Sequence, residues 1–204
     1  MKIICIAQNY EKHAAEMNAP APSNPIFFLK PDSAILQKDQ PFYYPDFSNE
    51  IHYELELVVK INRLGKNIGE RFAKNYYNEV ALGIDFTARD LQQQARAEGH
   101  PWTLCKGFDG SAVLSPFVKI DTLGKSVNNL NFHLLKNGVE VQKTNTSEML
   151  FSVDKLISYL SQFMTLKIGD YIYTGTPHGI GAIHLDDTLE GFLEGQRMLL
   201  CEIK

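Results

Sequence analysis

Ile51-His52-Tyr53-Glu54-Leu55-Glu56-Leu57-Val58-Val59 alternates side chains in a way that decides how the whole chain is read. In a β-strand, successive side chains point to opposite faces of the sheet. Tyr53, Leu55, Leu57 and Val59 then share one face, and His52, Glu54 and Glu56 share the other. The two carboxylates lie about 6.5–7 Å apart along such a strand. Strand interiors disfavour Glu, and two like charges on a partly buried face repel each other. A hard divalent cation removes that conflict, because carboxylate oxygens suit Mg²⁺, Mn²⁺ or Ca²⁺. The solvated face of an edge strand shows the same alternation, so this segment alone leaves both readings open.

Outward from it, strand-like runs cover residues 2–7, 26–30, 80–86, 112–119, 131–135, 138–142, 171–174 and 197–203, with 51–61 as the central one. Asn137-Gly138 between two of these runs predicts a type I′ hairpin. Helical periodicity covers 10–17, 87–98 and 153–163. Thr87 is the expected N-cap of the second helix, and Gly99 its C-cap. The third places Val153, Leu156, Ile157, Leu160 and Phe163 on one stripe. Many short strands and few helices, without β–α alternation, predict a mostly-β α+β fold and argue against a doubly wound one. A chain of 204 residues supports one substantial core, so residues 1–204 are read as a single domain. The Pro-rich stretch 18–26 reads as a surface loop.

A net charge of −4 argues against nucleic acid as a partner. The first apolar run, Ile3 to Ala7, is too short for a signal-peptide core or a membrane span. Cys5, Cys105 and Cys201 make an odd, dispersed set without a CxxC. That argues against disulfides and zinc, and for a cytoplasmic location with Cys105 as a packed small hydrophobe.

Asp85 ends the apolar run Val80-Ala81-Leu82-Gly83-Ile84, just where a helix begins. Three carboxylates without a nearby Cys or an HxxxH pair fit an oxygen-ligand site rather than zinc. Six further segments now stand in order: Asn-Tyr-x-x-His-x-x-Glu-Met (Asn9 to Met17), Phe-Phe-Leu-Lys-Pro (Phe27 to Pro31) and Glu-x-Glu-Leu (Glu54 to Leu57). Gly-x-Asp-x-Thr-Ala-Arg-Asp-Leu-Gln (Gly83 to Gln92), Lys-Gly-Phe-Asp (Lys106 to Asp109) and Thr-Gly-Thr-Pro-x-Gly-Ile (Thr174 to Ile180) complete the series. In that order the chain resembles the short, single-domain members of the fumarylacetoacetate hydrolase family, from about residue 5 to its end. The resemblance implies that family's mixed β-roll or sandwich with a few short helices, and a homodimer.

It also implies roles. Glu54, Glu56 and Asp85 match metal ligands, normally for Mg²⁺ or Mn²⁺, with the cation polarising a small 2-oxo acid substrate. His13 and Glu16 match an acid/base dyad that activates water; by spacing alone they are an ordinary surface pair at i, i+3. Lys106 matches a lysine that stabilises an enolate oxygen. Arg89, Gln92 and Thr176 match positions facing the substrate, with Arg89 suited to a carboxylate. Residues 9–26 match a lid segment. His52, His100, His133, His178 and His184 receive no role. Gly181-Ala182-Ile183-His184-Leu185-Asp186-Asp187 departs from the family pattern by lacking its proline and glycine, which implies a local turn difference away from the metal.

The activity implied is metal-dependent hydrolysis of a C–C bond in a 2,4-dioxo acid such as an acylpyruvate or fumarylpyruvate. Isomerisation or decarboxylation of a 2-oxo diacid, a 2-hydroxyhepta-2,4-diene-1,7-dioate type or oxaloacetate, needs the metal and Lys106 but no attacking water. A non-catalytic, metal-stabilised binding protein is the third reading.

Overall fold

The computed structural model describes residues 1–16, 20–38 and 40–204. Met17, which closes the first quoted segment, and residues 18–19 of the expected lid lie outside the described residues. The chain forms β1 (Ile3–Ala7), α1 (Glu11–Glu16), β2 (Ile26–Lys30), β3 (Ile51–Tyr53), β4 (Leu55–Ile61), β5 (Tyr77–Asp85) and β6 (Thr87–Ala88). Then come α2 (Arg89–Glu98), α3 (Thr103–Lys106), β7 (Ala112–Leu114), β8 (Val118–Lys119), β9 (Asn131–Lys136) and β10 (Val139–Asn145). The last elements are α4 (Val153–Phe163), β11 (Tyr171–Tyr173), β12 (Gly181–Ala182), β13 (Thr188–Leu193) and β14 (Gln196–Glu202). The protein is mostly β, with a few short helices.

The large sheet runs β2-β1-β11-β4-β5-β7, with β8 also on β5. Only β1 and β11 pair in parallel; its other pairs are antiparallel. A four-stranded sheet, β10-β9-β13-β14, packs against it, and a small sheet, β12-β3-β6, caps one end. Leu55, Leu57, Val59, Leu82 and Ile84 meet Phe132, Leu134, Leu189 and Leu193 in the main core between the sheets. The other face of the large sheet carries a smaller cluster that includes Ile3, Cys5, Val58, Ala81 and Tyr173. Glu54 and Glu56 point to that second face, as the alternation predicted.

The predicted strand 51–61 is broken at Glu54, because β3 pairs with β12 and β6 whereas β4 pairs with β11 and β5. At the break, Leu55 donates its backbone N–H to the Gln142 side chain, 2.9 Å away, in place of a strand partner. The predicted strand 112–119 is also interrupted, at residues 115–117, where Pro116 has no N–H to give a ladder. Thr87 is not the N-cap of α2: it belongs to β6, and Ala88 holds the cap position. Gly99 ends that helix in the left-handed region, as expected. Asn137-Gly138 has positive φ at both residues, as a type I′ turn requires. Glu194-Gly195 repeats that geometry between β13 and β14, and β13 is a strand absent from the predicted set.

All three cysteines are buried and free, and no helix among the described residues is long and apolar enough to cross a membrane.

Gly83 stands opposite Glu56 in the β4–β5 ladder. A Cβ there would press on the Tyr173 ring and on Val113 O and Val58 Cγ2, both at 2.8 Å. Tyr173 cannot simply swing away, since its hydroxyl donates to Val113 O at 2.8 Å. Gly83→Ala should therefore cost about 1–3 kcal/mol, as overpacked cores do. Urea unfolding checks this: the midpoint should fall with its slope unchanged, and an unshifted midpoint would refute it.

Candidate metal and substrate site

Three neighbouring strand positions bring the carboxylates together. Glu54 and Asp85 face each other across the end of the β4–β5 ladder, where Asp85 N–H donates to Glu54 O at 2.9 Å. Glu56 follows one side-chain period along β4. Each of Glu54, Glu56 and Asp85 is buried and offers one oxygen, and these oxygens lie within 4.8 Å of one another. Oxygens on opposite sides of a hard cation are separated by about 4–5 Å, so the spacing suits such an ion.

Burying three carboxylates requires compensating charge. Lys106, from the last turn of α3, donates to Glu54 Oε2 (2.9 Å), Asp85 Oδ2 (2.7 Å) and Thr87 Oγ1 (2.5 Å). Arg89 donates from Nη2 to Glu54 Oε1 at 2.5 Å, from Nη1 to Gln92 Oε1, and from Nε to His52 Nδ1 at 3.4 Å. Lys30, at the end of β2, sits 2.8 Å from Asp85 Oδ1. Its ammonium also donates to the carbonyls of Phe86, Lys106 and Ser111, and to Ser111 Oγ.

The compensation is uneven. Burial alone would raise the pKa of Glu54, but Lys106, Arg89 and His13 together hold it well below the carboxylate range. Burial alone would lower that of Lys106, yet Asp85 and Glu54 push it well above the ordinary ammonium value. Glu56 is left over: burial, then the charges of Asp85 and Glu54, drive its pKa upward. Gly175 N–H donates to its Oε2 at 2.6 Å, and no cation pairs with it among the described residues. Asp85 Oδ1 is buried and takes no hydrogen bond, because Lys30 lies beside it off the hydrogen-bonding direction. A buried carboxylate with no paired cation among the described residues, beside a carboxylate oxygen that accepts no hydrogen bond, is what a hard divalent cation satisfies.

His13, Arg89, Gln92 and Thr176 line the same narrow opening, and Glu16 stands behind His13. His13 enters from α1, with Nδ1 3.2 Å from Glu16 Oε2. With Nδ1–H donating to that carboxylate, the Nε2 lone pair remains as a proton acceptor. Glu16 is held in turn by Gly179 N–H at 3.1 Å, which ties α1 to the loop after β11. Thr176 is 3% exposed, and its hydroxyl donates to Leu55 O and accepts from Gln142 Nε2, both at 2.9 Å. Arg89 and Gln92 are buried in the cavity wall.

Several contributors carry no sequence signal strong enough to be singled out. Lys30 stood in a quoted segment, but a lysine before a proline at a strand end looks solvated until its partners are known. Gln142 fixes the loop after β11 through Thr176 Oγ1 and Pro177 O (3.0 Å), from a strand of the other sheet. Asn9 binds that loop at Thr174 O, 2.8 Å away, and the chain at Phe151. Gly175 passes so close that a Cβ would lie 2.7 Å from that of Asn9, and its φ of +99° already demands glycine. Gln8, with a left-handed φ of 57°, and Arg96 also line the cavity.

The model of the fumarylacetoacetate (FAA) hydrolase C-terminal family matches residues 2–202. The mitochondrial oxaloacetate tautomerase of Bos taurus is 39% identical over 193 residues, 95% of this chain and 87% of the relative. The mitochondrial oxaloacetate decarboxylase of Dictyostelium discoideum is 41% identical over 183 residues, 89% of this chain and 84% of the relative. Among solved structures, fumarylpyruvate hydrolase from Pseudomonas aeruginosa in complex with Mn²⁺ and pyruvate matches with a TM-score of 0.93. It is 32% identical, and the match covers 100% of this chain and 89% of that one.

Mn²⁺ at one hundred times its Kd should stabilise the protein by about 2.7 kcal/mol. That is a rise of several degrees in Tm for a chain of this size. Glu56→Gln breaks no ion pair yet removes a ligand, so thermal scans of it should show most of that rise lost. A full rise in Glu56→Gln would remove Glu56 from the ligand set.

Proposed function

The chain belongs to the fumarylacetoacetate hydrolase family, and on that premise we propose that it is a divalent-metal-dependent hydrolase of small 2,4-dioxo acids. The substrate class is that of acylpyruvates and fumarylpyruvate, cleaved at a C–C bond. The observation that carries the reading is one cavity lined by Glu54, Asp85, Lys106 and the His13–Glu16 pair, with Glu56 beside its carboxylates. Glu54, Glu56 and Asp85 hold Mg²⁺ or Mn²⁺, which when bound supplies Lewis-acid polarisation to a 2-oxo acid.

The remaining chemistry is assigned by proton affinity. Glu54 is held too acidic to take a proton near neutral pH, and Lys106 too basic to give one up. Among the cavity-lining residues, His13 is the imidazole, with Nε2 free to accept a proton while Nδ1 faces Glu16. Its Nε2 takes a proton from water, the water attacks the carbonyl remote from the pyruvate half, and Glu16 stabilises the imidazolium that results. The pyruvate half departs as its enolate, whose negative oxygen is the natural partner of the Lys106 ammonium. Thr176 and Gln92 position the substrate. The described part of the segment 9–26 carries His13 to the cavity, and residues 9–16 act as its lid.

A second reading is tautomerisation or decarboxylation of oxaloacetate. It is favoured by the names of the Bos taurus and Dictyostelium discoideum relatives, which are more identical to this chain than the hydrolase of known structure. In it the same Nε2 moves a proton on or off carbon, and no water attacks.

Product analysis separates the two. With Mg²⁺, acylpyruvates should lose their 2,4-dioxo absorbance and release pyruvate, and EDTA should stop both. His13→Ala should lower hydrolysis by 10²-fold or more, the usual contribution of an acid/base group. It should leave Mn²⁺ binding unchanged. Unimpaired hydrolysis by that variant would sink the dyad assignment. Turnover of oxaloacetate with no release of pyruvate from acylpyruvates would establish the second reading.

A further inference from the structure

The cavity contains four cationic or potentially cationic side chains, and three are already engaged. Lys106 gives its ammonium donors to Glu54, Asp85 and Thr87, and His13 is paired with Glu16. Arg89, the expected carboxylate binder, has Nη2 on Glu54, Nη1 on Gln92 and Nε on His52. It is also 4% exposed, so a substrate carboxylate reaches its fork only by displacing a buried ion pair. The exception is Arg96. It lines the same cavity, is exposed, and has no hydrogen-bond or ion-pair partner among the described residues.

Its position follows from the helix. Arg89, Gln92 and Arg96 are spaced i, i+3, i+7 along α2 and share one face. Seven residues advance the helix by about 10.5 Å, so the Arg96 backbone stands two turns beyond that of Arg89, and helical side chains lean back towards the N-terminus and hence towards the shared opening. Across the opening, Phe28 and Trp102 meet edge to face at 5.7 Å and form an apolar wall with no charge to offer. Arg96, Phe28, Trp102 and the carboxylates Glu54 and Asp85 thus line one opening, with Arg96 as its exposed cation. An unpaired guanidinium matches a carboxylate in both charge and fork geometry.

We propose that Arg96 is a specificity-determining residue that selects substrates bearing a second carboxylate at the end remote from the 2-oxo acid group. The proposal rests on the 2-oxo acid reading of the site and narrows it to diacids. It sets the substrate's far end, which neither the carboxylate cluster nor the His13–Glu16 pair touches.

The test uses a matched pair of five-carbon ligands, 2-oxoglutarate and 2-oxovalerate, which differ only in the distal group. Calorimetric titration into the Mn²⁺-loaded protein should give at least about tenfold tighter binding of 2-oxoglutarate, the scale of one charge-assisted hydrogen-bond pair. Arg96→Ala should bring 2-oxoglutarate down to the affinity of 2-oxovalerate and leave 2-oxovalerate unchanged. Arg96→Lys should keep part of the preference and lose it faster with added salt. Because Arg96 is exposed and its side chain has no hydrogen bond or ion pair among the described residues, an unchanged Tm should accompany these effects. Equal binding of the two ligands by the wild type, or a preference that survives Arg96→Ala, overturns the proposal and leaves the 2-oxo acid reading standing. Failure of the wild type to bind either ligand overturns that reading itself, and the proposal with it.

Discussion

Burying three carboxylates within a few ångströms of one another is the constraint to which the rest of the structure answers. Isolated from water, each ion carries a desolvation penalty of several kcal/mol unless an opposite charge and hydrogen bonds meet it. Lys30, Arg89 and Lys106 do so for Glu54 and Asp85, and each comes from a different element: β2, α2 and α3. The sheet order follows suit, because β2 and β5 lie at separate positions in the large sheet and only the curl of its end lets Lys30 reach Asp85. The chain from Asp85 to Ser111 then wraps round that ammonium, offering it three carbonyl oxygens and a hydroxyl. Removing one partner from such a pair costs about 3–5 kcal/mol, so the charges that build the site also hold the fold.

Three cations against three carboxylates would be a closed account if the charges were shared evenly. They are not. Both lysines and the arginine crowd onto Glu54 and Asp85, while Glu56 has, among the described residues, the Gly175 amide alone as a hydrogen-bond partner. That amide comes from the loop after β11, which is fixed at Thr174 by Asn9, at Thr176 by Gln142 and Leu55, and at Gly179 by Glu16. The loop is thus pinned at nearly every second residue. A rigid wall beside an undercompensated carboxylate is preorganised for a cation, which needs no rearrangement of the loop on binding.

Much of this was legible in residue order. Alternation along 51–59 placed Glu54 and Glu56 on one face, and the apolar run ending at Asp85 placed that residue at a strand end. What alternation could not show was which strands pair, and pairing is what brings Asp85 opposite Glu54 rather than elsewhere along the sheet. The same gap hid Lys30 and Gln142, whose partners lie 55 or more residues away in sequence for Lys30's contact with Asp85 and 87 for Gln142's with Leu55. Local rules also failed where tertiary contacts competed. Thr87 has the side chain of an N-cap, but its hydroxyl serves Lys106 and its backbone pairs with His52, so the helix starts after it. Arg89 was singled out from its motif and Arg96 was not, because residue order cannot tell a guanidinium locked to Glu54 from one without a partner among the described residues.

In the proposed function, hydrolysis and simpler proton transfer differ in what His13 does, and His13 is the part of the site held by the fewest contacts. Glu54, Asp85 and Lys106 are buried and cross-linked, so their geometry is the same whichever reaction follows. His13 instead sits on a six-residue helix, held to the rest of the site through Glu16, itself a partly exposed residue, and one bond to Gly179. A helix that short has little stability of its own and takes its position from such contacts. In the proposed function, recognition of a 2-oxo acid belongs to the buried charges, and proton transfer to a His13 whose place depends on the Glu16 and Gly179 contacts.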